Sequence, residues 1–428
     1  MEKNKPQNWM ENGKLDEVAF AEEFLQKHQM IACDGAFFSR EGRVTDERLL
    51  KRAIYLELKN HVRSGVSRKV DSVLATMRLA CAHKTLPLED HVIHLANGTY
   101  RFGTGFTPDK DFCRHRLPVN FDKNVEPPEQ WLSFLDELLC YEDIQILQEF
   151  MGYCLVPTTK AQKMLMIIGQ GGEGKSRIGL VMKAIFGDNL SMGSISKLES
   201  SPFARADLEH LLVYVDDDMK MEALPSTNVL KTVITSEIPM DLERKGEQSY
   251  QGLLTARLMA FGNGALRAVH DHSHGFYRRQ IVLWALPRPV DRIDDPELGK
   301  KLTAERDQIF MWALLGLLRL RQNHYTFTVS QRSMEAMRRS REEGDPIADF
   351  LCSTGYIEFH HQGCATSRQL YETYRDWCAD NAMEPARDQV FWRTLRDHAQ
   401  QLDLVYTNAV PIGKNRYARG FRGIRICQ

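Results

Sequence analysis

The stretch that most constrains this chain is Gly169-Gln170-Gly171-Gly172-Glu173-Gly174-Lys175-Ser176, which follows an apolar run at 164–168 and precedes an amphipathic segment. It is the pattern G-x-x-x-x-G-K-S, with a strand expected before it and a helix after it. Ile178, Val181 and Ile185 recur at helical spacing, so one face of that helix can pack on a sheet. A P-loop of this kind points backbone N–H groups at phosphate oxygens, and the helix N-terminus adds a positive dipole. Lys175 is expected to reach the β- and γ-phosphates, and the Ser176 hydroxyl to ligate Mg²⁺. The nucleotide-contacting set is then Gly169, Gly171, Gly172, Glu173, Gly174, Lys175, Ser176 and Arg177, with ATP and Mg²⁺ as cofactors. A glycine-rich turn that binds nothing is the plain alternative. The flanking pattern, with both Lys and Ser present, argues against it.

A chain of 428 residues predicts two to four domains, and 43% apolar content is ample for real cores. The net charge of −1 means that any nucleic-acid surface must be a local patch or channel. The polar start of the chain lacks the apolar core of a signal peptide, and the longest apolar run, 309–318, is too short to span a bilayer. Nine scattered cysteines without a C-x-x-C pair suit a reducing cytoplasm and give no zinc ribbon. A bacterial cytoplasmic location and no membrane partner are the expectations.

Residues 1–85 read mostly as helix (18–29, 48–62, 68–82), with a short hairpin over 31–40. Alternating runs around Asn97-Gly98 predict a second hairpin. Asp109-Lys110-Asp111 lacks a flanking apolar strand and a third carboxylate, so it reads as a solvated loop rather than a metal site. After Pro127-Pro128, helical spacing resumes over 130–155, and 164–286 alternates strand-like with helix-like runs, the pattern of an α/β nucleotide-binding sheet.

Three further elements fit P-loop chemistry. The apolar run 211–215 ends in Asp216-Asp217-Asp218. A buried strand that delivers acids at its end supplies one to orient the Mg²⁺ water shell and one to polarise an attacking water. Three acids leave the register open; Asp217 is favoured on the Mg²⁺ side and Asp218 as the water activator, with Asp216 the alternate. Next, the apolar run 257–261 reaches Gly262-Asn263, whose amide can hold the attacking water, although Asn-Gly is also a turn dipeptide. Then Arg278-Arg279 precedes the apolar run 280–286, and either could act as an arginine finger in a neighbouring subunit or be a surface pair.

Between these lies a hairpin with its turn at Lys245-Gly246, carrying Arg244 and Lys245 at the tip. It reads as a grip on a DNA strand in a ring or as a plain exposed turn. His270, His272 and His274 have a spacing that could bind metal, but in a probable loop they read as solvated. Residues 287–299 read as a linker and 300–341 as helical, with a break at 344–346. Helix-like segments over 347–351, 367–381 and 388–402 precede strand-like runs at 404–406 and 421–426, a winged-helix pattern. Arg393 and Arg396 on the last helix, with Lys414 and Arg416 in a terminal stretch lacking acids, are the candidate DNA contacts; a protein-docking domain is the alternative.

With these elements in this order the sequence resembles superfamily 3 helicases. It is most similar to the helicase part of the primase–helicases of phages, plasmids and mobile genomic islands, related to the poxvirus enzyme. The residues that carry the likeness are His94–Phe102, Gly152-Tyr153, Thr235-Ser236-Glu237 leading to Glu243-Arg244-Lys245, Asn263, the loop into Arg278-Arg279, Tyr371/Tyr374/Trp377, and 420–426. The resemblance implies an AAA+-like P-loop ATPase core at 129–299 and a mainly helical N-terminal domain at 1–128. A helical connector at 300–344 and a winged helix at 345–428 complete the α/β architecture. It further implies a homo-oligomeric ring, a hexamer, that moves 3′ to 5′ on single-stranded DNA and unwinds the duplex. A separate primase, polymerase or single-strand-binding protein would be its partner. The zinc-bearing primase domain frequent in that family has no counterpart in these residues, so priming is not expected. An origin-binding initiator ATPase, and an ATP-gated scaffold that recruits a primase, are the competing readings.

Overall fold

The computed structural model describes residues 8–427 apart from 12–13, 34, 81–84, 220–226, 247, 265–273, 290, 336–346, 348–349, 352, 354, 382–383, 400–401, 403 and 414–415. The chain forms two compact units: one from residues 1–220, 229–263 and 283–330, the other from 221–228, 264–282 and 331–428.

The first unit begins with β1 (Met10–Glu11), β2 (Lys14–Leu15), α1 (Glu17–His28), β3 (Met30–Cys33), β4 (Ala36–Ser39), β5 (Gly42–Arg43), α2 (Glu47–Leu58) and α3 (Val66–Ala80). Asp16 starts α1 by accepting from the N–H groups of Val18 and Ala19, a cap worth about 1 kcal/mol. Phe20, Phe24, Ile54, Leu58, Val73 and Met77 place the inner faces of the three helices around Trp9 in one core. Each such side chain contributes about 1.5–3 kcal/mol when fully buried.

Beside its three helices, this region holds more strand than its sequence shows. β6 (Val92–Leu95), β7 (Gly98–Arg101), β8 (Gly105–Thr107) and β9 (Arg116–Leu117) form a four-stranded sheet in the order β8-β7-β6-β9. Strands of two or three residues are too short to show a period, and β9 is fixed by distant contacts: the Arg116 guanidinium donates to the carbonyls of Leu95 and Asp111 at 2.7 Å each. Asp109-Lys110-Asp111 is surface loop, with Asp111 paired to Arg101 at 2.6 Å and Lys110 to Glu41 at 2.7 Å.

Next come α4 (Glu129–Leu138), α5 (Tyr141–Tyr153), β10 (Met164–Ile168), α6 (Ser176–Phe186), β11 (Leu190–Met192), α7 (Ser196–Ser200), α8 (Pro202–Ala206) and β12 (Val213–Met219). After them run α9 (Asn228–Thr235), β13 (Met240–Leu242), β14 (Tyr250–Gly252), β15 (Arg257–Gly262), α10 (His274–Tyr277), β16 (Gln280–Trp284), α11 (Leu298–Ala304) and α12 (Arg306–Gln322). A five-stranded sheet runs β11-β12-β15-β10-β16, and the β11/β12, β12/β15 and β15/β10 pairs are parallel. The chain leaves β10 and returns at the far edge as β11. That leaves a crevice at the carboxyl end of β10, where open parallel sheets bind ligands. β10 is buried along its whole length, which explains its continuous apolar run.

Helices α5 and α12 approach closely because each supplies a glycine at the contact. A Cβ on Gly152 would lie 2.4 Å from the Ala313 carbonyl oxygen, and one on Gly316 would lie 2.4 Å from that of Gln148. The helical expectation for 300–341 holds only in part. α12 stops at Gln322, His324 and Tyr325 turn left-handed at φ 50° and 60°, and 323–330 is not helical. Buried acids of α5 hold this segment: Thr328 N–H donates to Glu149 at 2.8 Å and the Ser330 hydroxyl to Asp143 at 2.7 Å.

In the second unit, β17 (Ile357–Thr366), α13 (Ser367–Asp380), α14 (Asp388–Ala399), β18 (Val405–Gly413) and β19 (Arg416–Ile426) build an antiparallel sheet β17-β19-β18 carrying two helices. Phe350, Leu370, Tyr374, Trp377, Phe391 and Phe421 form its core. The expected pattern of helices followed by a two-stranded wing omits β17. That strand buries only part of one face, so its sequence reads polar.

Candidate active site

β10 delivers the glycine-rich loop into the crevice, and α6 begins at Ser176 immediately after it. Gly171, Gly172 and Gly174 take φ values of 110°, 82° and 109°, a run of left-handed turns that side chains would strain. The loop is also closed from inside. Lys175 Nζ donates to Glu173 Oε2 at 2.7 Å, and Gly171 N–H donates to Glu173 Oε1 at 2.9 Å, with Glu173 and Lys175 both buried. Burial pushes the Glu173 carboxyl up, but the hydrogen bonds from Lys175 and the backbone outweigh it and hold the carboxyl below its ordinary range. A Cβ at Gly169 would lie 2.6 Å from Glu173 Oε1, so only glycine leaves room for this pair.

β12 brings the acids. Asp216 pairs with Ala260 and Met219 with Gly262, so three steps on β12 oppose two on β15. This bulge breaks the in–out alternation of a strand, and Asp217 and Asp218 are both exposed in succession. Both line the cleft with Lys175 and Ser176. The Asp217 carboxylate faces the first turns of α6: a Cβ on Gly179 would lie 3.7 Å from its Oδ1. Asp216 points elsewhere. It is buried, accepts from Ile195 N–H at 2.7 Å, and has its carboxyl pushed up by that burial. Asn263, just past β15, is exposed on the cleft, and the end of β15 is tied to the loop by Gly169 N–H donating to Gly262 O at 3.1 Å.

The cleft measures about 760 Å³. Arg177 also lines it, and so does a segment that sequence reasoning set aside. Within 287–299, read as a linker, two described arginines reach back to the loop: Arg292 donates to the Glu173 carbonyl at 2.8 Å, and Arg288, paired with Asp294 at 3.0 Å, lies over Gly172. The Pro and Asp content of that stretch marked a connection; its two arginines were the signal that went unused.

The hairpin candidates Arg244 and Lys245 are not among the residues that line this cleft. The β13–β14 hairpin forms with Gly246 left-handed at φ 82°, and Lys245 is exposed beside it. Arg244 is drawn back, bonded to Glu209 and stacked 4.9 Å over the Tyr250 ring. Arg278 and Arg279, between α10 and β16, belong to the second unit. So do Arg393 and Arg396 on α14 and Arg416 on β19, all three exposed. Lys414, His270 and His272 lie outside the described residues, as does the side chain of His274. Among the described residues there is no group of three or more His, Cys, Asp or Glu that could hold a metal ion, and no helix is long and apolar enough to cross a membrane.

Comparison with known proteins finds two family models that match parts of the chain. Residues 8–140 match the family model described as D5 N terminal like. Residues 167–279, from the loop-bearing strand through Arg279, match a family of unknown function, DUF5906. Three apo structures of the NrS-1 C-terminal region are similar in fold, each 12% identical, with TM-scores of 0.55, 0.54 and 0.53. The likeness covers 96, 96 and 95% of this chain and 100, 100 and 98% of those. At that identity it speaks to the fold alone.

Proposed function

We propose that this chain is an ATP-driven DNA helicase of superfamily 3 type, with an AAA+-like P-loop core, that works in the replication of a phage, plasmid or mobile genomic island. The observation that carries the reading is the β12 bulge, which turns Asp217 and Asp218 together into the cleft beside Lys175 and Ser176. Magnesium-bound ATP fits these residues: the left-handed glycines form a cradle, and its Gly171 N–H and Lys175 ammonium already hold an anionic group, the Glu173 carboxylate. Ser176 and Asp217 would hold Mg²⁺, which when bound neutralises phosphate charge. Asp218 polarises the attacking water, Asn263 positions it, and Arg278 or Arg279 reaches the phosphates of the next subunit in a hexameric ring. The D5-like N-terminal domain supports a replication role.

In this reading Lys245 tracks one DNA strand from the hairpin tip, and the second unit acts as a winged helix that touches duplex DNA through Arg393, Arg396, Lys414 and Arg416. Movement is 3′ to 5′. The test is ATP hydrolysis and strand displacement by the purified chain, with and without single-stranded DNA. DNA-stimulated hydrolysis and unwinding, both lost in Lys175→Ala, are expected. Nucleotide-dependent assembly without unwinding would replace this reading with an origin-binding initiator or a scaffold for a separate primase.

A further inference from the structure

We infer that Arg288 and Arg292 are nucleotide-binding residues acting in cis: two guanidinium groups that close on the phosphate tail held by the glycine-rich loop of the same chain. The inference rests on the nucleotide reading above and extends it to a segment with no assigned role. Both arginines come from the stretch that follows β16, so the strand beside β10 fixes where they emerge. Each stands over one glycine of the loop. A Cβ on Gly172 would lie 3.7 Å from Arg288 Nη1, and one on Gly174 would lie 3.6 Å from Arg292 Nη2. Glycines that turn their N–H groups outward create an anion site, and a planar guanidinium above them supplies paired donors matched to phosphate oxygens.

Their present partners are ones a phosphate can replace or tolerate. Arg288 is 39% exposed and paired with Asp294, itself 68% exposed, and a pair so open to water contributes little. Arg292 spends one N–H on the Glu173 carbonyl, which leaves the rest of the fork for a ligand. No carboxylate is bonded to Arg292 among the described residues.

The experiment is equilibrium binding of fluorescent AMP, ADP and ATP, with Mg²⁺, to the full chain and to Arg288→Ala, Arg292→Ala, Arg292→Lys and Lys175→Ala. Each alanine variant should lose affinity in steps that grow with phosphate number, reaching about tenfold for ATP, with Arg292→Lys recovering part of it. A loss equal for AMP, ADP and ATP, with a lower melting temperature of the free protein, would mean that Arg292 only braces the loop and would overturn the inference. Affinities within about twofold of the parent chain would overturn it as well. ATP binding that survives Lys175→Ala intact would instead sink the nucleotide reading, whatever the arginine variants do.

Discussion

The ammonium of Lys175 lies 2.7 Å from the carboxylate of Glu173, two residues earlier in the same loop, and the other carboxylate oxygen takes the Gly171 N–H at 2.9 Å. A lysine and a loop N–H are the donors a bound phosphate would use, so Glu173 occupies them in its place. On the proposed nucleotide reading, a phosphate would have to displace it, and breaking a buried pair is costly until the phosphate replaces the lost partner. Glu173→Gln keeps an acceptor for Gly171 but removes the charge that neutralises Lys175. It should bind both ADP and ATP about tenfold more tightly, measured by nucleotide titration. The Glu173 carboxyl is held below its ordinary value of 4.5, so its ion pair is fully present above that value and is lost as pH falls through the lowered one. No inflection from this group is therefore expected between pH 6 and 8. Weaker binding by Glu173→Gln would show that the carboxylate supports the site instead of competing for it.

The three acids of β12 should separate by variant. Asp217→Asn and Asp218→Asn, both on the cleft, should cut hydrolysis by about 10²-fold or more and leave the melting temperature unchanged. Asp216 is buried with its carboxyl pushed up by that burial. An acid raised in the folded state contributes most stability below its ordinary range and loses it as pH rises through the raised value. Asp216→Asn retains an acceptor for Ile195 without the buried charge and should melt within a few degrees of the parent at neutral pH. Asp216→Ala orphans that N–H and should cost about 1–3 kcal/mol. Loss of hydrolysis in Asp216→Asn at unchanged stability would move the catalytic register by one residue.

What the sequence made legible here follows chain distance. The glycine-rich loop, the acid-bearing strand and Asn263 each show as a local pattern, an apolar run ending in polar residues, because strand, turn and site lie within a few residues of one another. The register among Asp216, Asp217 and Asp218 was not legible, since the bulge depends on how β12 pairs with β15, some 40 residues away. Arg292 was missed for the same reason: its partner, the Glu173 carbonyl, is 119 residues earlier. The sheet over 92–117 was only half visible, because β9 is defined by the reach of Arg116 to Leu95 and not by any period of its own.

Arg257 begins β15 and is fully buried, which pushes its pKa down. It donates to the carbonyls of Thr158 at 2.8 Å, Thr255, and Cys154 at 3.4 Å, and lies 5.3 Å over the Tyr153 ring. It thereby ties the end of α5 and the loop beyond it to the sheet. Arg257→Met fills most of the volume but leaves carbonyls unpaired, a loss of about 1–3 kcal/mol. Thermal melting should fall by about 3–10 °C, with nucleotide affinity retained in the folded protein. An unchanged melting temperature would mean that water or a neighbouring donor takes over those carbonyls.

Two adjacent cations on the β13–β14 hairpin have different surroundings, and that difference predicts different losses. Glu209 accepts from Arg244 and from the Tyr250 hydroxyl, the latter at 2.7 Å, so Arg244 holds the hairpin against the segment that precedes β12. Lys245 is exposed at the turn. If the hairpin tracks a DNA strand, Lys245→Ala should flatten the slope of log affinity against log salt by about 0.7, the release of one counterion from single-stranded DNA. It should also lower DNA-stimulated hydrolysis without touching nucleotide binding. Arg244→Ala removes the guanidinium bonded to Glu209, which keeps the Tyr250 hydroxyl, and should cost about 1–3 kcal/mol of stability, read by melting. A salt slope that moves with Arg244→Ala and not with Lys245→Ala would assign the strand contact to the other residue, and a slope that moves with neither would remove the hairpin from the DNA path.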